Sequence, residues 1–339
     1  MARVTIRDVA QAAQVSVGTA SMALNGKKNV NEHTRKKILE VADRLNYNPN
    51  PYAKFLTSDK TNMVGLIVTD TSNPFFGSMI ALLQHELNQY GYNMMLGISR
   101  GDLEEEKAIV NKFISMKVTG IIAVPSHDMI SDTTHYQKLK KYNIPLCFIT
   151  SYYPGIDAPC VMSDLSDGSY QLTTHLLNNG HKKIIHLTGY PSSPVSSLRV
   201  NGYTAAYRDL GLYYSPEWII ATDVTLEGGY QATKQALAFN PDAIISLNDI
   251  MALGVLKYLK ENNIHVPSEI SIAGYDDLFF SSMLETPLTT IHQPLTQICQ
   301  RTVAILHQQC SNNTFSSEKI LLRPSLILRS SSAPQKHTT

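Results

Sequence analysis

The sequence predicts two unlike parts: three short helices at the N-terminus, then a large α/β region of two doubly wound lobes. Three observations lead there. The first sixty residues hold ten Lys/Arg against five Asp/Glu, and the remaining 279 hold 19 against 23, so a basic head is joined to a mildly acidic body. From Met63 onward, short apolar runs alternate with amphipathic stretches of about a dozen residues, the pattern of βαβ units around parallel strands. A length of 339 residues, with 43% hydrophobic and 17% charged residues, suits two or three domains with a substantial core.

Thr5-Ile6-Arg7-Asp8 has the form of a capping box, in which Asp8 reaches back to Thr5. Ile6, Val9, Ala10 and Ala13 then recur at helical spacing. Ser16 is the next N-cap candidate, opening a short helix from Val17 that stops at Asn25-Gly26. Only Gln14-Val15-Ser16 separates the two helices. Asn31 caps a third, whose apolar stripe is Ile38, Val41, Ala42 and Leu45. Three short helices with so tight a first turn form a helix-turn-helix, the second helix of which enters a DNA major groove. A basic charge balance suits that partner. By composition alone, a generic three-helix bundle accounts for the segment equally well.

Asn50-Pro51-Tyr52-Ala53-Lys54-Phe55-Leu56 fits a short helix, with Asn50 as N-cap and Pro51 at the first helical position, where its missing N–H does no harm. Two turns alone in water are marginal, because nucleation is costly.

In the body, expected strands are Met63–Thr69, Tyr92–Gly97, Gly120–Val124 and Pro145–Thr150. A second set comprises Cys160–Ser163, Lys183–Leu187, Trp218–Ala221, Ala243–Ser246 and Ile270–Gly274. Helices such as Phe76–Tyr90 and Glu104–Met116 intervene. Ligands of such folds sit at the C-terminal ends of the strands, here in a cleft between two lobes. Cys147, Cys160, Cys299 and Cys310 are widely spaced and the eleven histidines form no paired motif, so neither metal nor cofactor is expected. No apolar run of about 18 residues is present to span a membrane, and the opening residues lack an apolar signal core, which points to the cytoplasm.

Family-level motifs sharpen this. Val4-Thr5-Ile6-Arg7-Asp8-Val9-Ala10, Val15-Ser16-Val17-Gly18-Thr19-Ala20-Ser21, Leu24-Asn25-Gly26 and Leu45-Asn46-Tyr47-Asn48-Pro49-Asn50 resemble the headpiece of the lactose-repressor family in order and spacing. Asn73-Pro74-Phe75-Phe76, Asn179-Gly180-His181, Arg199-Val200-Asn201-Gly202-Tyr203, Asn248-Asp249, Gly274-Tyr275-Asp276-Asp277 and Thr289-Thr290-Ile291-His292-Gln293-Pro294 extend the likeness to about residue 329. The resemblance implies a helix-turn-helix headpiece (1–48), a hinge helix and linker (49–61), and an α/β body of two doubly wound lobes of periplasmic-binding-protein type (62–329). Its N-lobe would take 62–161 and 291–322, its C-lobe 162–290 and 323–329, with a flexible tail at 330–339.

By the same resemblance, Thr5, Ser16, Thr19, Ser21, Asn25 and Tyr47 contact DNA phosphates, which fix register without reading sequence. Val17, Gly18 and Met22 take the base-reading positions. Relatives often place Arg or His at the last, able to bond a guanine edge; Met22 offers only apolar contact, which implies weaker direct readout, unless Met22 packs inside. Leu56 matches an apolar wedge in the minor groove, Ala53 a small residue for close approach of two hinges, and Lys54 a phosphate contact. Phe75, Phe76, Thr150, Arg199, Asn248 and Asp276 are the implied effector residues, suited to a sugar or similar polar metabolite. The plain alternatives are an Arg199–Asp276 structural ion pair, Asn248 as a helix cap, and Phe75 and Phe76 as core. Sugar-binding relatives commonly carry Asp after the fourth strand, where Thr150-Ser151-Tyr152-Tyr153 stands here; Tyr152 and Tyr153 are candidates to stack on a sugar ring or an aromatic ligand, although loop tyrosines often do neither. Ser193 and Val195 replace an Arg and a Thr of purine-binding relatives.

The implied function is a repressor, homodimeric on a near-palindromic double-stranded operator, controlled by a small-molecule effector, by induction or corepression. An enzyme is disfavoured, since no Gly-rich nucleotide loop and no G-x-S-x-G elbow is present. A free-standing solute-binding protein would have no use for a basic helix-turn-helix. The Ser330–Thr339 tail has no apolar heptad for a tetramerising coiled coil.

Overall fold

The computed structural model describes residues 4–27, 29–47, 61–126, 132–312 and 316–334. The chain divides into two compact units, Met1–Thr61 and Asn62–Thr339. The expected hinge helix, with Ala53, Lys54 and Leu56, lies outside the described residues.

The first unit is α1 (Ile6–Ala13), α2 (Val17–Leu24) and α3 (Glu32–Arg44). The Asp8 carboxylate accepts from the Thr5 N–H and hydroxyl, both at 2.7 Å. Gln14 ends α1 in the left-handed region at φ 56°, which turns the chain sharply enough for Ser16 to cap α2 by accepting from Thr19 N–H at 3.0 Å. Asn31 caps α3 through His33 N–H. Val9, Ala10, Ala13, Ala20, Ala23, Ile38 and Val41 close the core. Its small residues let three helices of 8, 8 and 13 residues pack tightly.

In the second unit, β1 (Met63–Val68), α4 (Pro74–Gln89), β2 (Asn93–Ile98), α5 (Leu103–Ser115), β3 (Gly120–Ala123), α6 (Thr134–Lys141), β4 (Leu146–Ile149) and β5 (Cys160–Ser163) follow in order. With β11 (Lys319–Leu322) the strands form a parallel sheet ordered β11-β5-β4-β3-β1-β2. The strand Cys160–Ser163 therefore belongs to the first sheet and not to the second set. Its backbone pairs on both sides, with Phe148 opposite Cys160 and Lys319 opposite Cys160, and a return strand 159 residues away is invisible to local patterning.

After α7 (Leu165–Asn178) a second parallel sheet is ordered β7-β6-β8-β9, from β6 (Ile184–Thr188), β7 (Ile219–Ala221), β8 (Ala243–Ser246) and β9 (Ser271–Ala273). Helices α8 (Pro194–Asp209), α9 (Leu226–Leu237) and α10 (Asp249–Glu261) connect them. The chain then returns through β10 (Thr290–His292) and α11 (Leu295–Asn312), and β12 (Ser325–Ile327) pairs antiparallel with β10. Near-continuous apolar strands such as Ile184–Leu187 are buried on both faces, as parallel sheets covered by helices require.

Two glycines set helix spacing. A Cβ on Gly202 of α8 would meet the Ser166 carbonyl of α7, and one on Gly254 of α10 the Leu226 carbonyl of α9. The end of the chain departs from expectation. Residues 330–334 of the supposed flexible tail are docked: Ser331 is buried, its hydroxyl accepts from Thr289 N–H at 2.7 Å and donates to the Ile272 carbonyl at 2.6 Å, and its carbonyl takes the Ile272 N–H. The open edge of β9 leaves backbone groups that this segment satisfies.

Candidate functional site

The parallel strands of both sheets end at one cleft of about 650 Å³. Thr69 and Asp70 follow β1, Arg100 follows β2, Val124 follows β3 and Thr150 follows β4. From the other sheet come Tyr190 after β6, Asp223 after β7, Asn248 after β8 and Asp276 after β9. Carbonyl ends of parallel strands and helix N-termini converge there, which is why α/β folds bind ligands on that side.

All six expected effector residues, Phe75, Phe76, Thr150, Arg199, Asn248 and Asp276, line this cleft. Several also have structural duties. Asn73 caps α4 through Phe75 N–H at 2.9 Å; Phe75 is buried and Phe76 only partly so, their rings meeting edge to face at 5.7 Å. Asn248 Oδ1 caps α10 by accepting from Met251 N–H at 2.9 Å, which leaves its amide N–H₂ for a ligand. Arg199 Nη2 pairs with Asp276 Oδ1 at 3.2 Å, Nη1 donates to the Leu247 carbonyl, and the guanidinium lies 3.8 Å from the centroid of Tyr275. The ion pair and the helix cap are thus both real, and they preorganise the polar groups facing the cleft.

Gln293 Nε2 donates to the same Asp276 Oδ1 at 2.7 Å. Burial raises the Asp276 pKa, opposed by the Arg199 charge and the Gln293 bond. Behind it, Asp249 accepts from Thr290 Oγ1 and Ser281 Oγ, each at 2.6 Å, and from Leu278 N–H at 2.8 Å. Burial, then the Asp276 charge, push its pKa up to about 7. His186 is held neutral, its pKa lowered to about 3 by burial and by Arg199. Three cleft residues have positive φ, Arg100 at 54°, Thr150 at 63° and Asp276 at 111°, conformations that persist only where the surroundings enforce them.

The aromatic pair after β4 does not face the cleft. Tyr153 is in the core, its hydroxyl donating to Glu106 Oε2 at 3.3 Å, and Tyr152 stacks under Lys319, whose Nζ lies 3.5 Å from its ring centroid. A loop reading of these tyrosines misses them because buried Glu106, bonded also by His135 and Ser126, draws Tyr153 inward. Sequence reasoning overlooked Asp70, Asn73, Tyr190, Asp223 and Gln293 as cleft residues. The signal for Asp70 and Asp223 was available: a polar residue directly after each apolar strand run.

In the headpiece, Ser16 and Thr19 share a hydroxyl hydrogen bond at 2.8 Å, and Asn25 donates to the Ser21 carbonyl at 2.9 Å. Thr5, Ser16, Gly18 and Asn25 are exposed; Thr19, Ser21 and Tyr47 are half-buried. Val17 is 44% and Met22 38% exposed, so Met22 is not core and two apolar side chains project from α2 into solvent.

Comparison with known proteins agrees with this geometry. Residues 5–50 match the bacterial regulatory proteins of the lacI family, and residues 173–332 match a periplasmic binding protein-like domain. Over 335 residues, 96% of this chain and 98% of the other, the sequence is 31% identical to the HTH-type transcriptional repressor PurR of Aliivibrio fischeri. The chain belongs to the lacI family. Like its relatives in that family, it is a DNA-binding transcription regulator and not an enzyme. Among solved structures, this lacI-family chain resembles the lac repressor dimer bound to operator and the anti-inducer ONPF, with a TM-score of 0.87 and 27% identity over 98% of this chain and 100% of that one. It also resembles a LacI family regulator from Enterococcus faecium with bound ribose, at a TM-score of 0.71 and 25% identity over 81% of this chain and 100% of that one. Among the described residues, no helix is long and apolar enough to cross a membrane, and no cluster of His, Cys, Asp or Glu is arranged to hold a metal ion.

Proposed function

We propose that this lacI-family regulator is a homodimeric repressor whose affinity for a near-palindromic operator is set by a neutral sugar, or a closely related polyol, in the cleft. The observation that carries the reading is the convergence of Arg199, Asn248 and Asp276 with Phe75, Phe76 and Thr150 on one cleft. Asn248 retains free amide donors, Asp276 retains a carboxylate oxygen outside its Arg199 and Gln293 bonds, and the phenylalanine faces suit the apolar side of a sugar ring. The ribose bound by the Enterococcus faecium relative is in keeping with this class.

On DNA, the exposed residues of α2 and its caps (Ser16, Val17, Gly18, Met22, Asn25), with half-buried Thr19 and Ser21 and with Thr5 and Tyr47, form the contacting face. Val17 and Met22 supply apolar contacts, such as to thymine methyl groups. Residues 50–56, with Ala53, Lys54 and Leu56, act as the hinge in the minor groove. Effector binding changes the relation of the two lobes and so the operator affinity, a coupling of about 1–3 kcal/mol.

The test is sequencing of genomic DNA that co-purifies with the full-length protein, followed by anisotropy titration of the recovered site with and without pentoses and hexoses. A recovered palindrome whose affinity one of these sugars shifts at least fivefold is the expected result. Recovery of a site that no sugar shifts would refute the effector class; no enrichment above background would refute the operator reading. Deleting residues 1–61 should abolish DNA binding and leave sugar binding intact.

A further inference from the structure

A second cavity, of about 330 Å³, lies at the other end of β4 from the cleft. Ile144 and Leu146, at the start of β4, line it, whereas Thr150, just past the end of that strand, lines the cleft. Its apolar walls are the Tyr136 ring and Leu139 of α6, together with Ile156, Ala158 and Pro159 ahead of β5. Gln309 of α11 also lines it. Gln309 is only 3% exposed, and its Oε1 has no hydrogen-bond partner. A buried acceptor left without a donor is costly and uncommon, and calls for a partner that supplies the missing bond. Lys140 and Asp157, paired Nζ to Oδ2 at 3.1 Å and each more than half exposed, also border the cavity. The opening thus offers one cation and one anion about 3 Å apart, and the interior a largely apolar slot with two unpartnered polar atoms, Gln309 Oε1 and the Tyr136 hydroxyl.

We propose that this cavity is a second small-molecule site, which takes a free aromatic amino acid whose ring carries an N–H or O–H donor. The ring fills the slot between Tyr136, Leu139 and Ile156, and its indole N–H or phenol O–H donates to the Gln309 carboxamide. The zwitterionic end complements the rim: its carboxylate meets Lys140 and its ammonium meets Asp157, replacing one exposed ion pair by two. A sugar, ringed by hydroxyls at its edge, lacks the flat ring that fills this slot, so the two sites read different metabolites.

The experiment is saturation-transfer NMR and isothermal titration on the full-length protein with L-tryptophan, L-tyrosine and L-phenylalanine. Tryptophan or tyrosine should bind, and phenylalanine, lacking the ring donor, should bind roughly tenfold more weakly, the worth of one buried hydrogen bond. Gln309→Leu should erase that preference, and Asp157→Ala, at an exposed position that folding does not need, should weaken both donors' binding severalfold. Phe76→Ala, in the cleft, should change neither. No binding of any of the three at about 1 mM would overturn the proposal. So would binding indifferent to Gln309→Leu and Asp157→Ala, or binding lost with Phe76→Ala, which would place the amino acid in the cleft.

Discussion

The Arg199–Asp276 pair should respond asymmetrically to loss of its two members. Both side chains are about 5% exposed, so removing either strands a charge away from water, at a typical cost of about 3–5 kcal/mol. The two stranded groups differ in what they can do next. In Asp276→Asn the stranded group is a guanidinium, a side chain with no neutral form to retreat to in a protein. Its remaining contacts are the Leu247 carbonyl and the Tyr275 ring. The full loss of about 3–5 kcal/mol should therefore appear at any pH from about 5 to 8, a fall in Tm of roughly 6–20 °C at about 2–4 °C per kcal/mol. In Arg199→Met, by contrast, Asp276 loses the charge that held its pKa down against burial and can take a proton. A carboxyl with a raised folded-state pKa binds more protons folded than unfolded, so stability declines as pH climbs from the unfolded pKa to the folded one. This variant should be only mildly destabilised near pH 5 and lose up to about 1.4 kcal/mol per pH unit above that, until the folded pKa is passed. Differential scanning fluorimetry of both variants at pH 5 and pH 8, each against the parent at the same pH, decides the matter. Equal and pH-independent losses in both would refute the argument that the pair is a buried charge pair in which one member can neutralise itself.

Met22→Arg places a guanidinium on the exposed face of α2; in a randomised-operator selection it should introduce a guanine preference at one position per half-site, worth about 1–3 kcal/mol of discrimination. Gly254→Ala drives a methyl group into the Leu226 carbonyl and should cost at least about 1–3 kcal/mol in urea unfolding, with DNA binding by folded protein retained. His186 stays neutral when folded down to about pH 3 but charges near pH 6.5 when unfolded, so its contribution is lost as pH falls below about 6.5. His186→Phe should therefore flatten the acid side of the stability curve, read as Tm between pH 6.5 and 5; an unchanged slope would contradict a buried neutral imidazole. Asp249 acts in the opposite sense, since its pKa of about 7 favours the folded state as pH falls, and only the difference between variant and parent isolates His186.

Much of the site was legible because it rests on local chemistry. The caps at Thr5, Ser16 and Asn31 and the apolar stripe of α3 follow from hydrogen-bonding rules and from 3.6-residue spacing, which operate within a few residues. Arg199, Asn248 and Asp276 were found as members of family motifs, and their shared destination follows from parallel strands all ending on one side. Tyr153 was misjudged for the opposite reason. Nothing near it in sequence announces Glu106, 47 residues earlier, whose buried carboxylate its hydroxyl reaches.

By itself, then, the sequence determined the basic helical head, the alternation of strands and helices in the body, and the residue types available to bind DNA and effector. Tertiary structure alone decided that β5 and β11 join the first sheet, that Ser331 closes the edge of β9, and that Gln293 shares Asp276 with Arg199. It alone placed Tyr152 under Lys319 and left Gln309 Oε1 unpartnered at a second cavity. The difference is one of range: propensity, capping and periodicity act between neighbours, whereas sheet edges, buried charges and cavities are satisfied by whichever residue the fold brings near, however distant in the chain.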